Sequence, residues 1–517
     1  MAWTRIARRT ETVGDLAVVV VLLLAALTLP AAGADNYTNC GYTVARNSYV
    51  TPFIYPDGSA EAAPVVIAPR FLVNWGDGLV GQAVPVVANQ RIFVVAYNLA
   101  NGNDVVAFSE IDGHLLWWQP IPTVDDAYGS RTSPTVDLAD NLVLMASGEG
   151  GAGSPSTITA MNMTTGAISW QTSLSIYPIV NSSVCITNSL ALVADFVPGP
   201  STSSRLWAVH VNGSNAGKIA WSLPLAGSSG CEATAVCTES TTGLITTDNG
   251  GYLRQVSLSG VAGWVYTLPA GAGLPDTKQP YGSFWSGLTV DGGLAYAATF
   301  NFYAGENSGL LVCLNAATGQ AVWTSSCERT DSLPVVTPAL VILSGGEGAY
   351  GSPLKIQAFN KTTGVLSWTW SGHGGWTMQP VAVGNVLYGG DLYPGDLTSN
   401  DPCVNFWAID LTKSSTYPSF LLGQYTDNGT GPGSSPSYAN GNIYTIGDNG
   451  LYAFGPRWGD INGDGVVDEK DVAILNTKLN GLPTPYPDAN CDVNHDGVVT
   501  TADRVMLRKI MNGVPLP

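Results

Sequence analysis

A chain of 517 residues with 60 glycines, 32 prolines, only 12% charged residues and a formal net charge of −18 is too poor in charge and helix formers for a coiled coil or helical bundle. Its acidic balance excludes nucleic acid as a natural partner, because binding DNA or RNA rests on neutralising phosphates. So many turn residues predict a β protein built of many short strands.

The first 34 residues carry Arg5, Arg8 and Arg9, an apolar run from Leu16 to Leu29, and Ala32-Gly33-Ala34. That order predicts a secretory signal peptide (residues 1–34) cleaved after Ala34; an uncleaved membrane anchor is the other reading, although the run is short for a bilayer. The remaining chain has 18 basic and 37 acidic residues and no further apolar run long enough to cross a membrane. A secreted protein, extracellular or at the cell surface, is therefore expected, without a transmembrane segment once the signal is removed. Residues 35–64, polar and proline-containing, form an N-terminal arm expected to pair with the sheet edge of a neighbouring molecule.

Eight cysteines, Cys40, Cys185, Cys231, Cys237, Cys313, Cys327, Cys403 and Cys491, predict disulfides in an oxidising compartment, with buried free thiols as the alternative; their pairing cannot be chosen from sequence. Six sequons, at Asn36, Asn162, Asn181, Asn212, Asn360 and Asn428, predict N-linked glycans.

Gly148, Gly150 and Gly153 match G-x-G-x-x-G, but the chain continues as a strand, a Thr165-Gly166 turn and a second strand to Trp170, with no helix to hold a phosphate. The same context returns 198 residues later, as "GEGAYGSPLKIQAFNKTTGVLSW" from Gly346 to Trp368. The glycines belong to a repeat. Its copies run "VVAFSEIDGHLLWW" to Trp118, "ITAMNMTTGAISW" to Trp170, "LWAVHVNGSNAGKIAW" to Trp221, "LRQVSLSGVAGWVY" around Trp264, "LVCLNAATGQAVW" to Trp323, "IQAFNKTTGVLSW" to Trp368 and "FWAIDLTKSSTYPSF" around Tyr417 and Phe420. A second strand pair precedes several copies, as in "SPTVDLADNLVLMA", so each unit has the four strands of a propeller blade. The last copy stops at "GLYAF" and lacks an outer strand, which "RFLVNW" (Arg70 to Trp75) would supply. The fold class is therefore mainly β: an eight-bladed propeller over residues 65–456, closed by an N-terminal strand with Trp75 completing the eighth blade. The tryptophans are packing residues between blades.

The pattern D/N-x-x-T-G-x-x-x-W after "LxAxN" resembles the quinoprotein-like (PQQ-like) β-propeller repeat. That resemblance implies either a quinone-dependent dehydrogenase or a non-catalytic assembly scaffold. The family's dehydrogenases carry an adjacent Cys-Cys pair over the cofactor, and this chain has none. His114, His210, His373 and His495 are scattered, and no histidine cluster or G-x-S-x-G motif indicates a zinc site or catalytic triad.

From residue 457 to 517 the chain changes character. "DINGDGVVDEKDVAILNTKLNG" and "DVNHDGVVTTADRVMLRKIMNG", offset by 32 residues, share ten identical positions of 22. Each begins as a calcium loop, with oxygen at positions 1, 3, 5, 9 and 12, a carbonyl at 7 and glycine at 6. The donors are Asp460, Asn462, Asp464, Val466 (carbonyl), Asp468 and Asp471, then Asp492, Asn494, Asp496, Val498 (carbonyl), Thr500 and Asp503. Ala473, Leu475, Leu479, Val505, Leu507 and Ile510 are spaced as the module's helical core, and His495 at loop position 4 is expected to face solvent. Tandem loops, a single helix after each, and Asp at position 12 resemble the type I dockerin module. This resemblance implies a small α-helical module that folds with two Ca2+ ions and plugs into a cohesin-like domain. Recognition would use loop positions 10 and 11, here Glu469-Lys470 and Thr501-Ala502; the two pairs differ from each other, a departure from the family's interchangeable pairs.

These readings combine into a secreted, glycosylated, calcium-binding scaffold without catalysis, assembling through its tail with a cohesin-like partner or another copy of itself into an extracellular complex, surface coat or filament, a homo-polymer in the last case. The alternative is an extracellular quinoprotein-like or glycan-acting enzyme, recruited to a complex by its dockerin-like module.

Overall fold

The computed structural model describes residues 36–514 except 39–41, 43–45, 62, 65, 67, 76–78, 80–82, 99–101, 122–131, 148–154, 176–178, 180–181, 196–203, 226–235, 238–243, 249–250, 270–283, 285–286, 302–304, 349–350, 392–404, 414–420, 426–434 and 448–449. Gly148, Gly150 and Gly153 lie outside the described residues, as do Tyr417 and Phe420.

Each sequence repeat becomes one antiparallel sheet. In the second, Thr135–Asp137, Leu142–Ser147, Thr157–Asn162 and Ile168–Ser173 pair in chain order. The two middle strands are buried almost throughout, and the outer strand is mostly exposed. Neighbouring sheets cover both faces of the middle strands, which is why they read as continuous apolar runs such as "LVLMA" rather than as alternation. Innermost strands of successive sheets lie side by side, and Val86–Ala88 of the first sheet neighbours Ser437–Ala439 of the last. The fold is a β-propeller.

Its regular four-stranded blades number seven, not the expected eight. The remaining sheet, of Val381–Val383, Val386–Gly390, Phe406–Asp410 and Leu421–Tyr425, has a fifth strand, Tyr49–Val50, paired in parallel with Val381–Val383. The N-terminal arm therefore adds to a sheet edge of its own chain rather than a neighbour's. An innermost strand has one row of peptide groups facing the propeller axis, and a strand from the same chain satisfies it without a second molecule.

Phe71–Val73 pairs antiparallel with Gly450–Phe454 and supplies the outer strand of the last blade, as expected from "RFLVNW". The joints between blades explain the repeat motif. Indole Nε1 of Trp117, Trp170, Trp221, Trp264 and Trp323 donates to a backbone carbonyl of the next blade (Met163, Val211, Leu258, Ala316 and Lys361) at 2.9–3.1 Å. The turn glycine of that next blade admits the ring: Gly166, Gly260, Gly319 and Gly364 have φ of 71–81°, and a Cβ there would fall 2.4–2.7 Å from the indole. Gly364→Ala, at φ +72° against Trp323, combines a left-handed backbone penalty with overpacking. It should cost about 2–4 kcal/mol, read as a lower midpoint in denaturant unfolding.

Two tryptophan assignments are corrected. In the first blade Trp117, not Trp118, makes the joint, and Trp118 is 51% exposed. In the last blade Trp75 is not the joint residue. Phe71 stands opposite Ala453 as Trp117 stands opposite Ala107, and the Arg70 guanidinium, 4.8 Å above the Phe71 ring, donates to the carbonyls of Glu110 and Ile111 at 2.7 Å. An arginine beside a phenylalanine here does the work of one indole, packing and donating together; Trp75 instead packs edge-on against Phe108.

Among the described cysteines, Cys313, Cys327 and Cys491 are buried and unpaired, so the expected disulfides do not involve them. Burial pushes the thiols of Cys313 and Cys491 up to about 11. Cys40, Cys231 and Cys403 lie outside the described residues.

The C-terminal module has helices α1 (Glu469–Leu479), α2 (Asp488–Cys491) and α3 (Thr501–Met511). Its core is Trp458, Ile461, Val472, Leu475, Cys491, Val493, Met506 and Leu507. Ala473 and Val505, expected inside, are exposed. Asp471 and Asp503, buried and turned toward their loops, fix the rotation of each helix and bring Val472 and Met506 inward instead. No helix among the described residues is long and apolar enough to cross a membrane.

Candidate functional site

The two loops of the module are wired alike. Asp460 accepts from the amides of Asp464 (3.1 Å) and Gly465 (2.8 Å); Asp492 accepts from Asp496 (3.2 Å) and Gly497 (2.7 Å). Asn462 and Asn494 each accept from the amide two residues on, and so do Asp464 and Asp496, toward Val466 and Val498. Gly465 and Gly497 take φ of +84° and +88°, the sharp turn that position 6 requires. Asp471 bonds the amides of Ile461, Asn462 and Asp468, and Asp503 those of Asn494 and Thr500. Position 12 is thus the clasp of each loop and the capping-box partner of the following helix, whose N-caps are Asp468 and Thr500.

The donor set suits a hard cation. No three His, Cys, Asp or Glu side chains among the described residues converge on one point; the loops offer amide, hydroxyl and backbone oxygens besides carboxylates, which is the mixture calcium takes. Asp492 is 1% exposed, and burial, reinforced by Asp503 and Asp496, raises its carboxyl to about 7. A divalent ion would reverse that penalty by favouring the ionised form.

Glu469, Lys470, Thr501 and Ala502 are all exposed at the first turns of α1 and α3. Lys470 reaches back to Asp464 at 2.9 Å and Glu469 pairs with Arg508, whereas Thr501-Ala502 is uncharged, so the two faces differ chemically. Of the sequons, Asn162 and Asn360 lie at hairpin turns and bond through Oδ1, leaving the nitrogen to which a glycan would attach out of those bonds. Asn212 uses its nitrogen on Asp140 and Ser189, and Asn36 accepts from Asn89. Asn181 and Asn428 lie outside the described residues.

Sequence reasoning missed the propeller axis. Tyr37 pairs with Val87 of the first blade, and the Thr38 carbonyl accepts from Val136 of the second. Arg46 donates to the carbonyls of Ser183 (3.0 Å) and Val184 (3.2 Å) in the third; its own carbonyl accepts from Thr289 (2.8 Å). The Asn47 amide gives and takes a bond with Val336, at 2.8 and 2.9 Å, and Ser48 binds Gln379. A segment that touches the innermost residues of so many sheets lies on the axis, and Tyr37, Arg46, Ser48 and Val50 are fully buried there. Nothing periodic in the segment signals this, since its partners are backbone groups far along the chain.

His495 is also corrected. With φ +53° it turns inward, its ring 4.5 Å from Trp458 and its Nδ1 3.4 Å from Glu61, so the second loop sits against the N-terminal arm rather than in solvent. Behind it Glu110, fully buried, accepts from Asn440 (3.0 Å) and Tyr444 (2.9 Å). Burial, opposed by those bonds and by His495 and Arg70, raises Glu110 from 4.5 to about 7. A raised acid favours the folded state while protonated. This contribution is therefore full below about pH 4.5 and is lost as pH rises through 7; it amounts to about 3 kcal/mol at most. Glu110→Gln should flatten the stability profile between pH 5 and about 8, measured by denaturant midpoints.

A family profile described as outer membrane protein assembly factor BamB, of the PQQ-like class, matches residues 72–301 and 249–396, together more than half of the chain. The chain belongs to this family. The profile of the dockerin type I domain matches residues 458–512 of this PQQ-like protein. Among solved structures the PQQ-like chain is similar to BamB from Moraxella catarrhalis (14% identity, TM-score 0.51, 75% of this chain and 99% of that one). It is also similar to the quinohemoprotein alcohol dehydrogenase from Comamonas testosteroni (11%, 0.58, 81% and 80%) and to the quinohemoprotein alcohol dehydrogenase ADHIIG from Pseudomonas putida HK5 (11%, 0.55, 88% and 82%). At such identities the likeness is one of fold. No curated protein matches the chain.

Proposed function

We propose that this protein is a secreted, non-catalytic scaffold in which an eight-sheet propeller, closed by Phe71–Val73, is joined to a calcium-ordered dockerin module that attaches it to an extracellular complex, coat or filament. Asp460, Asn462, Asp464, the Val466 carbonyl, Asp468 and Asp471 would hold one calcium ion, and Asp492, Asn494, Asp496, the Val498 carbonyl, Thr500 and Asp503 a second. Each ion would neutralise crowded carboxylates and stiffen the helix that follows. Glu469-Lys470 or Thr501-Ala502 would then meet a cohesin-like domain or another copy, and glycans at the exposed hairpin turns would shield the rim.

The observation that carries this reading is the axial segment. Where an enzyme of this architecture would need room for a quinone or glycan, Tyr37, Arg46, Asn47 and Ser48 fill the space with the chain's own hydrogen-bonded groups. The enzyme reading draws on the fold shared with alcohol dehydrogenases and lacks the adjacent cysteine pair. Absorbance spectra and calcium-dependent assembly of protein from its native source are the test. Calcium-dependent polymers or capture of a cohesin domain, with no visible chromophore, are expected; a bound quinone would overturn the reading.

A further inference from the structure

We propose that the N-terminal arm is the third component of the C-terminal metal site: Asp57, Ser59 and Glu61 brace the second loop, so that calcium there and seating of the arm are coupled. The inference rests on the calcium reading above and adds a division of labour between two loops that look alike in sequence.

The arm makes a tight turn, with the Tyr55 amide on the Ser59 carbonyl and the Gly58 amide on the Tyr55 carbonyl, at 2.8 and 2.9 Å. At the tip, Asp57 Oδ2 accepts from the Asp488 amide at 2.8 Å and lies 3.5 Å from Lys478 Nζ, while Ser59 Oγ accepts from the Ala489 amide at 3.3 Å. Those amides open α2, which ends immediately before Asp492, the first donor of the second loop. Two residues along the arm, Glu61 is 6% exposed; its Oε2 accepts from Tyr438 of the propeller at 2.9 Å, and its Oε1 lies 3.4 Å from His495. His495 sits between the donors Asn494 and Asp496. The second loop is therefore held on both flanks, and Gln90 of the first blade also donates to the Asn494 carbonyl.

Among the described residues no hydrogen bond or ion pair from the arm or propeller reaches the first loop, whose Asp464 and Val466 are exposed. Between arm and module lies a cavity of about 440 Å³, lined by Glu61, Pro64, Trp458, Asp460, Asp492 and His495, into whose wall the buried Trp458 Nε1 brings a donor with no hydrogen-bond partner among the described residues. The same stretch of chain continues upstream into the axial segment and downstream into the closing strand. If calcium stabilises the braced form of the loop, the brace must by reciprocity raise calcium affinity.

The test uses the full chain. Calorimetric calcium titration of the wild type should resolve two unequal sites. Asp57→Asn combined with Glu61→Gln, neither position being a calcium donor, should weaken the tighter site about tenfold and leave the other unchanged, with the propeller's unfolding midpoint unmoved. Amide exchange at Tyr55, Gly58 and Glu61 in the wild type supplies a readout independent of any variant: protection should fall on chelation and return with calcium. Equal affinities unaffected by the substitutions, or arm protection indifferent to calcium, would overturn the coupling while leaving calcium binding intact. A wild type that takes up no calcium would sink the calcium reading and the coupling with it.

Discussion

Replacing Asp460 and Asp492 together by alanine should leave the propeller folded and the C-terminal module unfolded. Each carboxylate ends two amide bonds inside its loop, and charge-assisted bonds of this kind contribute about 1.5–3 kcal/mol apiece. The module's core is eight buried side chains, which for so small a unit leaves only about 3–5 kcal/mol in hand. The double substitution removes more than that before any loss of metal is counted, and metal binding in such modules is itself folding energy. Loss of protection at the amides of α1 and α3, with indole-dominated near-ultraviolet signals of the blades retained, is the expected result; chelation should reproduce it reversibly in the unaltered chain. Helices that persist in the double variant, or blades that melt with them, would contradict it.

What could be read ahead of the structure depended on how far apart the interacting residues lie. The two acidic loops are legible because their oxygen-bearing residues fall within twelve positions and loop geometry fixes the spacing. The T-G-x-x-x-W motif is legible for a related reason: the glycine's positive φ and the indole it admits recur at successive joints from Gly166 to Gly364, so a contact between blades leaves a mark inside those repeats. Where the joint uses different chemistry the mark misleads. Trp75, a tryptophan near the right strand, matches the pattern of the closing residue, yet Arg70 and Phe71 divide that role. The axial segment left no mark at all. Ser48 meets Gln379 across 331 positions and Asn47 meets Val336 across 289, and polar side chains serving buried backbone groups look the same in sequence as polar side chains in water. The inward turn of His495 is hidden for a similar reason, since nothing within its loop tells that Glu61 of the N-terminal arm lies against it.

Asn47→Ala and Arg46→Ala should each destabilise the propeller, by about 2–4 and 3–5 kcal/mol respectively, measured as denaturant midpoints of the intact chain. Asn47 presents Val336 with both a donor and an acceptor, as a neighbouring strand would. Alanine leaves that N–H and C=O unpaired in a place water does not easily reach, so the full desolvation cost appears. Arg46 adds bulk: its guanidinium is completely buried and ties the third blade, while its carbonyl ties Thr289 across the axis. Its removal forfeits charge-assisted bonds and opens a void. The two sites are adjacent and share the same axial space, so the double variant should fall short of the sum. The outcome also separates the two functional readings. A segment that merely covered a ligand channel could be weakened at little cost, and the opened channel would then take up a quinone or sugar. A segment that is part of the hub cannot be weakened without loosening the blades it joins, and the scaffold reading requires that large loss of stability with no gain of binding at the axis.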